Sequence, residues 1–273
     1  MSDLARLSLN QATVQSWSVA EAVDGCARAG IPWIGLWRDK VAQQGLAASA
    51  RLARDAGVRV SSLCRGGFFP APTAAERRAR IDDNARALDE AAALGTDVLV
   101  LVCGGLPAGS RDLDGARQMV EDGIAALVPH AQARGVRLAI EPLHPMFAAD
   151  RSVITTLGLA NDIAERLGSA HVGVVIDVYH VWWDPAVHAQ IERAAPHTVG
   201  FHVNDWIVPL PDVLRGRGMM GDGCIDNRRL REAVDRAGYT GPIEVEIFND
   251  VVWGMPGDDV VALMKRRYLA EVV

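Results

Sequence analysis

Short apolar runs alternate with longer amphipathic stretches along almost the whole chain. The run 97–103 is rich in β-branched residues and shows no polar alternation, which is typical of a parallel strand covered on both faces. The stretch 73–94 instead places Ile81, Ala85 and Leu88 on one stripe with charged residues opposite, and this spacing predicts an amphipathic helix. The alternation of these two patterns is the main structural signal of the sequence.

Strands and helices can be placed along the chain from this pattern. Strands are predicted at 7–10, 33–37, 58–64, 97–103, 136–141, 172–177, 198–203 and 243–247. Helices are predicted at 18–29, 41–56, 73–94, 112–134, 156–167, 184–194, 227–237 and 258–270. Gly66, Gly67 and Pro70 predict a loop after the third strand, and Pro185 is expected at the first position of the sixth helix.

The repetition of strand and helix predicts an α/β fold, a single (β/α)8 TIM barrel. We expect one domain over residues 1–273, because no linker-like segment or shift in composition interrupts the pattern. A doubly wound open sheet is the structural alternative. Such a sheet usually carries a glycine-rich phosphate loop after its first strand, and the sequence has none there, so the barrel is preferred.

Composition limits the classes of partner. The formal net charge of −6 offers no basic face for nucleic-acid phosphates. No apolar stretch is long enough to span a membrane, and the first residues lack the apolar segment of a signal peptide. The four cysteines are scattered without a CxxC pair, which favours reduced thiols. These observations predict a cytoplasmic protein with neither nucleic-acid nor membrane partners.

Polar residues stand at the ends of the last four predicted strands. Glu141 ends the fifth strand, Asp177 ends the sixth, His202 lies in the seventh, and Glu246 lies in the eighth. A single buried acid often serves as an ion-pair partner or a helix cap, but four such ends are hard to explain in that way. Because functional residues of a barrel gather at the carboxyl ends of its strands, we predict a metal site here. Glu246 is preferred to Glu244, since it lies nearer the end of its strand.

The predicted donor set determines which metal to expect. Three carboxylates and one imidazole suit manganese, magnesium or cobalt, and zinc is an alternative, whereas a sulfur-poor set is unlike a zinc finger. We expect one divalent metal ion, with manganese as the preferred ion.

Further polar and aromatic residues follow the same strand ends. His144 and His180 come three residues after Glu141 and Asp177, where they could meet substrate oxygens, although loop histidines are often only solvated. Asp205 is a candidate for orienting the imidazole of His202. Arg217 lies in a glycine-rich loop that could approach a ligand or be a flexible surface loop. Four tryptophans predict a sugar-stacking wall or a partner surface: Trp182, Trp183, Trp206 and Trp253.

The combined motifs resemble those of the xylose-isomerase-like TIM-barrel superfamily, and more narrowly the sugar phosphate isomerase/epimerase group. The motifs are Glu141, Asp177-x-x-His180, His202-x-x-Asp205, Gly221-Asp222-Gly223-x-Ile225-Asp226 and Glu246. The resemblance implies that the same four strand-end residues bind the metal. It also implies that Glu141 and Glu246 exchange the substrate proton, while His180 and Arg217 hold substrate oxygens.

Two features depart from that group. Members often carry a glutamate at the end of the second strand, where this chain reads Gly-Leu-Trp-Arg-Asp at 35–39. The segment after Glu141 reads Pro-Leu-His-Pro, which resembles the metal-binding subunits of C-glycoside deglycosidases and implies His144 as a base. That second resemblance also implies a small partner subunit.

We therefore expect a divalent-metal-dependent sugar isomerase or epimerase that abstracts a proton next to a carbonyl and forms a metal-stabilised enediolate. The alternative is a metal-dependent lyase on an oxidised sugar, acting by C-deglycosylation of a 3-oxo-C-glycoside or as an inosose-type dehydratase. A metal-free, non-catalytic binding protein is a further alternative, and endonuclease action on abasic DNA is disfavoured by the acidic charge balance. The expected ligand is a small sugar-derived molecule. The expected assembly is a homo-oligomer, or a hetero-oligomer with a small subunit for the C-glycoside lyase.

Overall fold

Eight parallel strands form a closed barrel in the computed structural model, which describes residues 4–273. The barrel strands, β1 to β8 in chain order, are Leu7–Asn10, Trp33–Trp37, Arg59–Gly67, Val98–Val102, Arg137–Glu141, Val172–Asp177, Thr198–Val203 and Ile243–Val245. Leu7 of β1 pairs with Ile243 of β8, which closes the circle. The predicted (β/α)8 barrel is confirmed, and the open doubly wound sheet is excluded.

Eleven α-helices are found in the described part of the chain, and the longer ones pack around the barrel. In chain order, α1 to α11 are Val19–Ala29, Arg38–Gln44, Leu46–Asp55, Ala74–Leu94, Leu113–Arg134, Leu157–Leu167, Val178–Val181, Val187–Arg193, Asn227–Arg236, Asp250–Trp253 and Gly257–Glu271. Ser18 and Thr73 form capping boxes that fix the starts of α1 and α4. None of these helices is both long and apolar enough to cross a membrane.

Three local predictions were wrong. The helix predicted at 41–56 is two helices, because Gly45 adopts φ +89° and breaks the helical backbone between α2 and α3. The helix predicted from Asp184 begins at Val187, and Pro185 precedes it, because the Asp184 carboxylate accepts the backbone N–H of Ala186 in a local turn.

The third error concerns the predicted loop at Gly66 and Gly67, which instead extends β3. Gly67 has φ +104°, and a Cβ atom there would lie 1.9 Å from the carbonyl oxygen of Val102. The two strands can therefore approach only because position 67 has no side chain. The Gly-Gly pair serves close strand packing rather than a turn.

The barrel interior changes from apolar to polar along the strand direction. Side chains two residues apart point to the same side of a strand, so Ala139 lies below Glu141, and Val175 lies below Asp177. Ala139 and Val175 belong to a small buried apolar cluster, which is separate from the main core between the barrel and the helices. Its members are Cys64, Val98, Val100, Ala139, Val175 and Val199. All four cysteines are free, as the scattered spacing predicted. Strands β3 to β7 thus supply an apolar layer beneath their carboxyl ends, whereas the interior beside β1 and β8 holds the buried Glu244.

Candidate active site and metal centre

The four predicted metal ligands meet at the carboxyl ends of β5 to β8. Glu141, Asp177, His202 and Glu246 each offer one ligand atom, and these atoms all lie within 4.8 Å of one another. All four side chains are buried, with exposed fractions of 5% or less. The prediction made from strand ends therefore corresponds to one compact group of side chains that can hold a metal ion.

Two atoms in this group have no hydrogen-bond partner although they are buried: Oε1 of Glu141 and Nδ1 of His202. They lie 3.6 Å apart, and Nδ1 is 3.8 Å from Oε2 of Glu246. These separations are too long for hydrogen bonds but leave room for a small ion between the atoms. Because unpaired buried polar atoms are costly, the donor set fits a divalent cation coordinated by oxygen and one imidazole nitrogen.

The charges in the group perturb one another strongly. Burial, together with the neighbouring charge of Glu246, raises the pKa of Glu141 to about 8. Burial opposes ionisation of Asp177 as well, yet the Arg217 guanidinium holds the pKa of this carboxyl below its usual value. Despite burial, the carboxylates of Glu244 and Glu246 raise the pKa of His202 to about 10. Such a concentration of negative charge attracts a cation.

The structure distinguishes Glu246 from Glu244. Glu244 lies deeper in the barrel, where its carboxylate accepts hydrogen bonds from Asn10 at 2.6 Å and from Ser61 at 2.7 Å. Its Oε1 lies 3.8 Å from Nε2 of His202, on the far side of the imidazole from Nδ1. Glu246 is therefore the β8 carboxylate placed in the ligand group, as its position nearer the strand end indicated.

Arg217 already occupies one side of the group. Its Nη1 donates to Oδ2 of Asp177 and to Oε2 of Glu246, both at 2.8 Å, and its guanidinium packs over the rings of Tyr179 and Phe248. A short antiparallel ribbon, Asp205–Trp206 with Arg217–Gly218, fixes this position. The glycine-rich loop is therefore an ordered part of the site, which the sequence left open.

The predicted role of Asp205 was wrong. Its carboxylate accepts backbone N–H groups from Gly221, Gly223 and Ile225 at 2.8 to 2.9 Å and does not contact His202. The chain turns into the ribbon directly after β7, so the Asp205 side chain points to the glycine loop rather than back to the barrel. Asp205 organises the loop that carries Arg217.

His180 lies beside Arg217 and is fully enclosed. Its Nδ1 accepts the backbone N–H of His144 at 3.1 Å, and its Nε2 lies 3.1 Å from Nη2 of Arg217. Burial lowers the pKa of His180 to about 3, so the imidazole is neutral at ordinary pH. Because a backbone N–H can only donate, Nδ1 is the acceptor and Nε2 carries the ring proton.

His144 and Trp182 lie outside the cavity that adjoins the ligand group. The 3-10 turn Pro145–Phe147 directs the His144 ring away, and its Nδ1 accepts the N–H of Met146 at 3.2 Å. The ring packs against Trp206, with centroids 5.1 Å apart, and Trp182 packs on the same Trp206 at 5.5 Å. The structure therefore does not support His144 as a base or Trp182 as a substrate-stacking residue.

A cavity of about 160 Å³ adjoins the ligand group, and it shares Trp37, Arg65 and Phe248 with a neighbouring hollow of about 700 Å³. The cavity is lined by Glu141, Glu246, His180 and Arg217, as predicted, and by residues that the sequence analysis missed: Trp37, Arg65, Phe147, Arg151, Tyr179 and Phe248. Trp37 could have been predicted to line the site, because it ends β2 and the carboxyl ends of the strands surround the site. The arrangement places a cation-binding group, two hydrogen-bond donors and two aromatic walls around one small volume.

Comparison with known proteins agrees with this geometry. The sequence model of the family described as "Xylose isomerase-like TIM barrel" matches residues 23–267. The crystal structure of protein SMc04130 from Sinorhizobium meliloti 1021 superposes with a TM-score of 0.97 and 53% identity, over 98% of this chain and 99% of that one.

Two groups of curated relatives have named activities. A 3-dehydroshikimate dehydratase of Pseudomonas aeruginosa is 33% identical over 71% of this chain, and the match covers only 31% of the dehydratase. An L-ribulose-5-phosphate 3-epimerase of Salmonella paratyphi A is 26% identical over 76% of this chain and 71% of the epimerase. The relatives thus include both a lyase and an epimerase.

Proposed function

Because the chain belongs to the xylose isomerase-like TIM barrel family, we propose that it is a divalent-metal-dependent enzyme that isomerises or epimerises a sugar by removing a proton next to a carbonyl. The observation that carries this proposal is the buried group of Glu141, Asp177, His202 and Glu246, with two unpartnered ligand atoms, at the wall of a cavity. A binding protein without chemistry would have no need of this concentration of buried carboxylates.

Glu141 and Glu246 are the proposed proton-transfer groups. Both line the cavity, and Glu246 is held in place by Arg217 and by Asn10 Nδ2 at 3.1 Å. Glu141 lines the cavity beside the other ligand residues, so its carboxylate is placed to take a proton from a bound substrate and to return it. Held by Glu141, Glu246, Asp177 and His202, a divalent cation would stabilise the negative charge that develops on the carbonyl oxygen.

His180 and Arg217 are the proposed anchors for substrate oxygens. The protonated Nε2 of His180 and the Nη2 of Arg217 face each other at 3.1 Å, so two donors converge without an acceptor between them. A hydroxyl or carbonyl oxygen in the cavity would accept from both donors and relieve this contact. These two side chains would orient the substrate so that its acidic C–H faces a carboxylate.

A lyase is the second candidate, and the 33% identical dehydratase favours it. Removal of the same proton leads to dehydration when a hydroxyl in the β position departs instead of the proton returning. After Glu141 has taken the proton from carbon, it can pass this proton to the departing hydroxyl group as the C–O bond breaks, so that water leaves. A lyase that cleaves a 3-oxo-C-glycoside has less support than a dehydratase, because His144, its expected base, lies away from the cavity.

The test is hydrogen exchange on three ketones: L-ribulose 5-phosphate and 3-dehydroshikimate, which the names of the two relatives supply, and D-psicose as an unphosphorylated ketose. The metal-stripped protein is reloaded with manganese, magnesium, cobalt or zinc, and each compound is followed by NMR in D2O. Deuterium in the substrate and its epimer supports the epimerase, and an unsaturated product supports the lyase. No exchange with any metal, together with no stoichiometric metal binding, would favour a metal-free binding protein.

A further inference from the structure

Two arginines share the cavity with the proposed catalytic carboxylates. Arg65, near the end of β3, and Arg151, in the loop after β5, both line the volume bounded by Glu141 and Glu246. Arg65 also lines the outer hollow, so it borders both spaces. Both side chains are partly buried. They form what we call the arginine pair, defined as Arg65 and Arg151.

In the described part of the chain, neither arginine of the pair forms an ion pair with a protein carboxylate. Within residues 4–273, neither guanidinium lies within 4.0 Å of a carboxylate oxygen, and neither side chain donates a hydrogen bond to a protein atom. Arg38, at the edge of the same outer hollow, is different, because it bonds Asp83 at 2.9 Å and Glu90 at 2.6 Å. Partly buried arginines of this chain can thus be neutralised by acids, and the pair is not.

Aromatic rings rather than acids hold these guanidinium groups. The Arg65 guanidinium lies 4.3 Å from the centroid of Phe68, and that of Arg151 lies 5.9 Å from the centroid of Phe147. The two guanidinium groups line the same cavity of about 160 Å³. Burial, together with the charge of Arg151, lowers the pKa of Arg65, although the charges of Asp39 and Glu141 act in the opposite direction. Two like charges kept together in a partly desolvated cavity form a receptor for an anion.

The charges of the ligand group are accounted for separately. Arg217 is bonded to Asp177 and Glu246, and a divalent cation would balance the remaining negative charge of that group. The arginine pair is therefore left with its positive charge directed at the cavity. A neutral sugar would offer only hydroxyl groups to it, whereas a phosphate or carboxylate offers the paired oxygens that a guanidinium fork binds.

We propose that the arginine pair binds an oxyanion group, a carboxylate or a phosphate, at the end of the substrate remote from the reacting carbonyl. This inference rests on the proposed function, since it assigns the carbonyl end of the substrate to Glu141 and Glu246. It narrows the substrate class from sugars in general to acidic keto compounds. Arg65 and Arg151 would determine specificity, and they would not take part in proton transfer.

The test compares anions with neutral compounds of the same skeleton. L-ribulose 5-phosphate is paired with L-ribulose, and 3-dehydroshikimate is paired with its methyl ester. Inorganic phosphate and acetate are added as probes that need no carbonyl. Calorimetry on the metal-loaded protein gives each dissociation constant. We expect the preferred anion to bind at least tenfold more tightly than its neutral partner, and this advantage to shrink as ionic strength rises. A larger advantage for L-ribulose 5-phosphate over L-ribulose indicates a phosphate site, and a larger advantage for 3-dehydroshikimate over its methyl ester indicates a carboxylate site.

Substitution identifies the residues responsible. Arg65→Met and Arg151→Met should each reduce the anion's advantage by about tenfold to a hundredfold, as expected for a charge-assisted hydrogen bond. Arg51→Met, at an exposed position on α3, is the matched control and should leave that advantage unchanged. Melting curves check that each variant is folded, and the salt dependence of the unaltered protein provides a test that needs no variant.

Each outcome bears on one proposal or the other. Anion binding that depends on the arginine pair, without hydrogen exchange, would support the oxyanion site and count against the proposed enzymatic function. Exchange with neutral and charged compounds alike, unaffected by either substitution, would overturn the oxyanion site and leave the enzymatic function standing. The oxyanion site is also overturned when no anion, inorganic phosphate included, binds better than the neutral compounds.

Discussion

Replacing Arg217 by methionine should distinguish the stabilisation that its guanidinium gives the site from the stabilisation that a bound metal ion gives. The guanidinium makes two 2.8 Å ion pairs, to Asp177 and Glu246, in a buried setting. Methionine keeps most of the packing against Tyr179 and Phe248, but it removes the guanidinium charge from both carboxylates and leaves them only neutral amide donors such as Asn204 and Asn10. The variant therefore tests whether Arg217 stabilises the metal-free protein.

The expected magnitude follows from the loss of one partner in a buried ion-pair network, which costs about 3–5 kcal/mol. At roughly 2–4 °C per kcal/mol for a chain of this size, the melting temperature of the metal-free protein should fall by on the order of 10 °C. Protonation of the buried carboxyl groups that lose Arg217 would reduce this fall in melting temperature, so the fall should be larger at pH 8 than at pH 5.

Binding of a metal ion should restore much of the melting temperature that Arg217→Met loses. Removing one positive charge strengthens the attraction of the carboxylates for a second cation, and each tenfold gain in affinity adds about 1.4 kcal/mol of stabilisation at a fixed, saturating metal concentration. The assay is a melting curve with and without manganese for three proteins: the unaltered chain, Arg217→Met and Arg215→Met. Arg215 is the control because it is exposed in the same loop, where it pairs at 3.5 Å with the exposed Asp250. Equal melting temperatures for the two variants, or equal metal-induced gains, would refute this reasoning.

Three further predictions concern the base, the strand packing and the loop. Glu141→Gln should lower the rate of deuterium exchange by about a hundredfold to ten-thousandfold, measured by NMR at saturating metal; an unchanged rate would exclude Glu141 as the base. Gly67→Ala should destabilise the fold by well over 1 kcal/mol in denaturant unfolding, because its Cβ would meet a backbone carbonyl, whereas Gly95→Ala, with φ +79° and open space, should cost about 1 kcal/mol. Similar costs at both glycines would contradict the close approach. Asp205→Ala should speed amide hydrogen exchange at 221–225, and unchanged protection would show that other contacts order this loop.

The barrel could be predicted because its signals are local and repeated. Apolar runs, amphipathic stretches and capping residues such as Ser18 and Thr73 each fix one element, and the eightfold repeat fixes the topology. The errors came from glycines, whose meaning depends on what lies next to them in space. Gly45 interrupts a helical pattern, and Gly67 allows β3 to approach β4, yet both read as ordinary residues or turn signals in the sequence.

The ligand group could be predicted for a similar reason. A strand has a defined end and defined faces, so Glu141, Asp177 and Glu246 follow from strand placement alone. Loop residues have no such rule. The direction of the His144 ring depends on a short turn and on packing with Trp206, and neither is encoded in its distance from Glu141.

The arginine pair illustrates the limit of sequence reading most clearly. Arg65 was part of a predicted turn region and Arg151 of a connecting loop, and nothing in either segment marks its arginine among the many others in the chain. Only the folded barrel shows that both line one cavity and that, within residues 4–273, neither is bonded to an acid there. Substrate specificity therefore had to come from the structure, although the proposed chemistry could be inferred from strand ends.

The most direct test of the central claim is the anomalous scattering of manganese in crystals of the metal-loaded protein. A single strong peak is expected between Glu141, Asp177, His202 and Glu246, with ligand distances of about 2.0–2.3 Å. The imidazole should coordinate through Nδ1, since this is the unpartnered nitrogen that faces the carboxylates. An absent peak, or a peak elsewhere with the four side chains unchanged, would contradict the account.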